Sequence, residues 1–170
     1  MKGWIKDIVI AAVIALLVMT FIKPTIVKES SMEPTLYANN YLFLSKQTYR
    51  FSEPKQGDIV VFHTDLTTND GQEKLLIKRI IALPGDVITI SGGNVYVNAI
   101  LLDEPYILGT DTSGYVEDLE IPDGMVFAMG DNRAVSIDSR DDRVGCVPID
   151  LIVGKAFLRL YPFNKIGLLH

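Results

Sequence analysis

A chain of 170 residues with 48% hydrophobic and 22% charged side chains is long enough for about one domain with a real core. Its net charge of −5, with no long basic run, excludes the broad phosphate-neutralising surface that nucleic-acid binding depends on, so no nucleic-acid partner is expected. One cysteine, Cys146, excludes an intrachain disulfide, and two histidines, His63 and His170, without paired-ligand spacing, give no reason to expect zinc or any other metal site.

The apolar content is concentrated at the start. Residues 8–22 are apolar apart from Thr20, with Lys2 and Lys6 before them and Lys23-Pro24 closing the run. As a helix, Trp4 to Ile22 would span about 28 Å at 1.5 Å per residue, close to the thickness of a bilayer's hydrocarbon core. A cleavable secretory signal is the rival reading, but Lys23-Pro24-Thr25-Ile26-Val27 lacks the small-x-small pattern that would end one. The expected organisation is a short cytoplasmic N-terminus over residues 1–7, a transmembrane anchor over 8–22 that could begin at Trp4, and an extracytoplasmic β domain over 23–170. Positive charges on the two sides of the run nearly balance, and they tilt the N-terminus to the cytoplasm.

Directly after the anchor comes Ser30-Ser31-Met32-Glu33-Pro34-Thr35-Leu36. Pro34 fixes its own φ and disfavours the helical region for Glu33, so this segment should be extended or turning. Ser31 is the candidate nucleophile, although on local chemistry alone the stretch also reads as an ordinary loop.

Beyond it the apolar period becomes that of strands: residues 41–44, 58–63, 75–83, 87–90, 95–97, 125–129 and 152–161 are short, β-branched or aromatic, and bounded by Gly, Pro, Asn and Asp. The fold class is therefore mostly β. Ser91-Gly92-Gly93-Asn94 reads as a hairpin turn, since two glycines accept positive φ. Residues 64–73 read as a polar loop between strands, and 107–120 as a surface excursion. Cys146, among Val144, Gly145, Val147 and Pro148, is expected to pack as a small hydrophobe.

Lys78 lies in a stretch, Lys74 to Leu83, whose two alternating faces are both apolar, as befits an inner strand. An ammonium held there beside Leu76 and Ile80 would shed its proton more readily, and the resulting amine is a general base. The alternative is a lysine that snorkels to solvent from a strand end. Arg79, on the opposite face, needs an acidic partner. A third informative stretch, Gly130 to Arg143, is dense in Asp, Asn, Ser and Arg and suits a loop pinned by ion pairs; its spacing does not match an EF-hand.

Together these stretches resemble the successive boxes of bacterial type I signal peptidases: Ser31-Met32-Glu33-Pro34-Thr35-Leu36, Gly57-Asp58-Ile59-Val60-Val61-Phe62, Lys78-Arg79-Ile80-Ile81-Ala82-Leu83-Pro84-Gly85-Asp86, and Gly130-Asp131-Asn132-Arg133 through Ser136, Asp138, Ser139 and Arg140. Asp103-Glu104-Pro105-Tyr106 and Tyr161-Pro162-Phe163 resemble the Gram-positive, single-anchor type. The resemblance implies a membrane-anchored serine endopeptidase that removes signal peptides from exported preproteins without cofactor or metal. It implies Ser31 as nucleophile, Lys78 as general base, Ser136 as the hydroxyl that positions the lysine amine, and Asp138 with Arg140 and Asp131 with Arg79 as bracing charge pairs. Where the family usually has Gly or Ser two residues before the nucleophile, this chain has Glu29. A carboxylate cannot donate to an oxyanion, so its side chain is expected to turn away, toward solvent or an arginine, leaving a backbone N–H to do that work.

Three rival readings remain: a self-cleaving protease of the SOS-repressor type, against which the anchor argues; a dedicated homologue acting on pilin-type secreted proteins; and a degenerate one that merely holds them.

Overall fold

The computed structural model describes residues 3–68 and 70–169, so the expectations that involve Lys2 and His170 lie outside the described residues. Helix α1 (Gly3–Phe21) is long and apolar enough to cross a membrane, and those of its side chains from Trp4 to Phe21 that the structure describes are exposed. It stops one residue earlier than the apolar run does. Ile22 already belongs to a strand, β1 (Ile22–Ile26), which pairs antiparallel with β2 (Tyr41–Ser45). Pro24 is tolerated within β1 because β1 is a sheet edge, where a missing N–H costs nothing.

The chain continues through β3 (Ile59–Thr67), β4 (Glu73–Ala82), β5 (Val87–Ser91), β6 (Asn94–Val97), β7 (Ile100–Leu101), β8 (Val116–Glu120), β9 (Met125–Met129), β10 (Val147–Pro148), β11 (Ile152–Tyr161) and β12 (Gly167–Leu168). Among the described residues the larger sheet runs β1-β2-β11-β3-β4-β9-β10, with β12 against β11, and a smaller one runs β7-β6-β5-β8. The mostly β reading holds. Gly92 and Gly93 take φ of 57° and 83° in the expected hairpin turn, with Ser91 paired to Asn94.

Two stretches differ from expectation. The supposed polar loop at 64–73 is half strand, residues 64–67 and 73, because β3 and β4 extend past the core as a hairpin arm whose outer side chains face solvent and so need not be apolar. The excursion at 107–120 ends in β8, whose Val-Glu-Asp-Leu-Glu composition reflects exposure of most of its residues.

β4 lies between β3 and β9, so the expected inner strand is confirmed: Val60 stands opposite Lys78, and Arg79 is flanked by Ile59 and Met129. One core cluster joins Val27, Met32, Leu36, Leu42, Leu44, Ile59 and Val61, tying the Ser31 segment to the larger sheet. Another centres on Phe62, Leu76, Ile80 and Ala128, and a third fills the space under the smaller sheet around Ile88, Ile90 and Phe127. Cys146 is half-buried against that third cluster, where burial raises its thiol pKa, in keeping with an inert packing role.

Candidate active site

The segment carrying Ser31 is fixed at both ends. Asn39 donates to the Val27 carbonyl at 2.8 Å and Val27 donates to the Asn40 carbonyl at 2.9 Å, closing the loop where it leaves β1. Met32 and Leu36 are wholly buried, and the Leu36 N–H reaches back to the Met32 carbonyl at 2.8 Å, so the turn expected around Pro34 is plugged into the core. Ser31, only 5% exposed, rides on that plug. Its carbonyl accepts from the Asn132 N–H at 3.0 Å, while among the described residues its own N–H has no acceptor. A buried donor without a partner is uncommon, and an unclaimed N–H beside a serine hydroxyl is available to a ligand oxygen.

Lys78 does not snorkel. It is 1% exposed, and its Nζ donates to Ser31 Oγ at 2.7 Å and to the Ile77 carbonyl at 2.9 Å. Burial lowers its pKa to about 8 from the usual 10.5, Asp138 and Glu29 pull it up, and Lys74 and Arg140 push it down. An amine so placed is part neutral near physiological pH, as a general base requires.

Around this pair the charged side chains close into bidentate couples. Arg79 Nε and Nη2 reach Asp131 Oδ1 and Oδ2 at 2.9 and 2.8 Å, with the guanidinium carbon 4.1 Å from the centre of the Tyr106 ring. Arg140 Nε and Nη2 hold Asp138 Oδ1 and Oδ2 at 2.8 and 2.9 Å. Burial pulls the Asp138 carboxyl up, but the Arg140 hydrogen bonds and charge, the Ser136 hydroxyl and the Gly130 N–H outweigh it and keep the group below the usual carboxylate range. Ser136 sits differently from the place that the resemblance implies. Its Oγ is buried, faces the Asp138 carboxylate and makes no hydrogen bond to Lys78, whose amine is oriented by the Ile77 carbonyl instead. Gly130 lies between these parts: a Cβ there would collide with the Ser31 carbonyl and with Ser136 Oγ and Cβ.

The sequence reading missed several contributors. Asn132 bonds the nucleophile segment twice, through its N–H to the Ser31 carbonyl and through Nδ2 to the Ser30 carbonyl at 3.3 Å. Thr35 donates its hydroxyl to Asp131 Oδ2, linking that segment to the Arg79 pair. Arg133, fully buried, pairs with Glu104 and donates Nε to the Gly130 carbonyl at 3.0 Å. The signal was present in Asp131-Asn132-Arg133 and Glu104-Pro105-Tyr106, but spacing alone cannot say which members touch. Glu29 turns from the dyad, as expected, though to a lysine: its Oε1 is 2.6 Å from Lys74 Nζ.

Beside the dyad runs a groove of about 630 Å³, with residues 24–29 on one wall and residues 72–77 on the other. Both walls are unpaired edges. Among the described residues β1 bonds only β2, and β4 has no partner on its β9 side before Arg79. Such edges can accept an extended peptide as an added strand.

Residues 1–161 match the family described as signal peptidase, peptidase S26. A probable signal peptidase I-2 of Synechocystis is 41% identical over 96% of this chain and 75% of its own length. Signal peptidase I of Bacillus licheniformis is 35% identical over 96% of this chain and 90% of its own. A crystal structure of a signal peptidase I from Enterococcus faecalis superposes with a TM-score of 0.50 at 28% identity, covering 61% of this chain and 97% of that one. The chain belongs to the signal peptidase family, peptidase S26, a family of serine endopeptidases.

Proposed function

We propose that the protein removes signal peptides from exported preproteins by a Ser31–Lys78 dyad working through an acyl-enzyme. The observation that carries this is the 2.7 Å contact between Lys78 Nζ and Ser31 Oγ, both buried, with an unclaimed N–H on the same serine. The preprotein segment lies extended in the groove, bonded through its main chain to the open edges of β1 and β4, which brings a peptide carbonyl to Ser31. With the amine neutral, the Ser31 hydroxyl donates to Nζ and its oxygen attacks that carbonyl. The Ser31 N–H holds the oxyanion. The tetrahedral intermediate collapses as the Lys78 ammonium returns the proton to the leaving amine, breaking the peptide bond. Water then gives a proton to Lys78 and attacks the ester carbonyl; the bond from that carbon to Ser31 Oγ breaks as the ammonium returns the proton to Oγ, which restores the dyad and frees the signal peptide with a new carboxyl group that ionises.

Asp131 with Arg79 and Asp138 with Arg140 brace the segments around the dyad, and Ser136 supports Asp138. α1 seats in the bilayer as an anchor, with residues 23–170 forming the catalytic domain on the extracytoplasmic side, where exported preproteins emerge. The pilin-directed alternative gains no support from relatives that are named signal peptidases. The test is incubation of the detergent-solubilised protein with a synthetic signal-peptide substrate. The parent should cut it, whereas Ser31→Ala and Lys78→Met should not; cleavage surviving in Ser31→Ala would overturn the assignment.

A further inference from the structure

Glu29 stands two residues before the nucleophile, on the groove wall opposite Lys74. Its carboxylate is about half exposed and lies 2.6 Å from Lys74 Nζ, so the pair bridges the groove rim from the segment entering Ser31 to the strand that carries Lys78. Glu29 lies in a bend two residues before Ser31, so their Cα atoms are no more than about 7.6 Å apart at 3.8 Å per peptide, a distance that a glutamate side chain can sweep by changing rotamer. The carboxylate therefore has two places to go: Lys74, or the Ser31–Lys78 pair.

The charges that reach the Lys78 amine are four, and they come as two couples. Asp138 is clamped by Arg140 from within its own loop, and Glu29 is matched by Lys74 across the groove. Each couple offers the amine one anion and one cation, so burial is left as the main influence on its protonation. The two couples differ in robustness. Asp138 is fully buried and held at both oxygens, whereas Glu29 is held at one oxygen by a flexible lysine and is open to water. If the Glu29 carboxylate lost its partner, it would be the nearest uncompensated anion to the ammonium, favouring the protonated and inactive form. It would also oppose negative charge developing on the substrate oxygen.

We propose that Lys74 is a positioning residue for the dyad, which by holding Glu29 across the groove rim keeps that carboxylate away from the Lys78 amine and from the oxyanion position. Lys74 touches no reacting atom; it acts through Glu29. The inference rests on the Ser31–Lys78 reading, and its test separates the two.

The test is the pH dependence of kcat and kcat/KM on a signal-peptide substrate in detergent, for the parent, Lys74→Met, Lys74→Arg, Glu29→Gln and the double variant Glu29→Gln/Lys74→Met. In Lys74→Met the acid limb of the kcat profile should move up by about one pH unit, with roughly a tenfold loss at pH 7 that fades once the amine is neutral in both proteins. Lys74→Arg keeps the cation and should keep the parental limb. Glu29→Gln removes the anion, so its limb should stay or move down. The double variant should bring its acid limb back to the parental position, because the carboxylate through which Lys74 acts is gone. An unmoved limb in Lys74→Met overturns the proposal, and so does a double variant whose limb stays where Lys74→Met puts it, which would mean that Lys74 does not act through Glu29. Activity that survives Lys78→Met defeats the dyad reading instead, an outcome seen in a different protein. Should Lys74→Met not fold, Glu29→Gln and Lys74→Arg still decide: a limb that moves up in either contradicts the proposal.

Discussion

Replacing Lys78 by methionine should abolish activity and make the protein more stable at neutral pH. Unfolded, the lysine titrates near 10.5; in the native site burial brings it to about 8. Between those values the unfolded chain binds more protons than the native one, so native stability rises with pH across that window. Below pH 8 the whole cost of the buried ammonium is present. At about 1.4 kcal/mol for each tenfold in proton affinity, that cost is about 3 kcal/mol at pH 7. Methionine matches lysine in length and needs no solvation, but it forfeits the hydrogen bonds to Ser31 Oγ and the Ile77 carbonyl, which at about 1 kcal/mol each offset about 2 kcal/mol. The net gain is about 1 kcal/mol, a rise of roughly 2 to 4 °C in Tm for a domain of this size. Thermal unfolding followed by circular dichroism at pH 7 and at pH 10.5 measures it. The gain should disappear at the higher pH, where the native amine is neutral and the unfolded one is about half deprotonated. A Lys78→Met protein that melts below the parent at pH 7, or a gain undiminished at pH 10.5, would refute the idea that the site carries an uncompensated buried charge.

Gly130→Ala should reduce kcat at least tenfold with a smaller change in KM, because the added methyl would displace the Ser31 carbonyl and Ser136 while leaving the groove walls in place; single-turnover cleavage of a signal-peptide substrate would show it. Protease added to intact, wall-stripped cells should digest residues 23–170, and full protection with the membrane sealed would place the catalytic domain on the wrong side.

Much of this site could be read from the sequence because its chemistry is concentrated in a few dense runs. Ser31, Lys78, Arg79, Asp131, Asp138 and Arg140 all lie in stretches whose composition is unusual for their setting, such as a lysine and an arginine in the middle of an apolar strand. What stayed hidden depends on distance through space. No local pattern reports that Glu104 meets Arg133, that Thr35 meets Asp131 or that Glu29 meets Lys74, since those partners are separated by tens of residues. For Ser136, residue type gave a hydroxyl, but the turn from Asn132 to Ser136 decides that this hydroxyl faces Asp138 and leaves the amine to a main-chain carbonyl. The strands that escaped notice, β1, β7, β8, β10 and β12, are edges or two-residue pairings, where solvent relaxes the demand for apolar alternation.

The join between α1 and β1 bears on how a cut site is chosen. Helix gives way to strand between Phe21 and Ile22, and the Lys46 N–H closes the junction by donating to the Phe21 carbonyl at 2.9 Å. With no slack between them, a helix seated in a bilayer would hold Ser31 at one height above the lipid. The molecule would then work as a gauge as well as a blade. A preprotein would be cut where its own membrane-embedded stretch lifts a suitable bond to that height, and the length of that stretch would select the site alongside the residues around the bond. Splicing a flexible linker between Phe21 and Ile22 would keep the blade and discard the gauge.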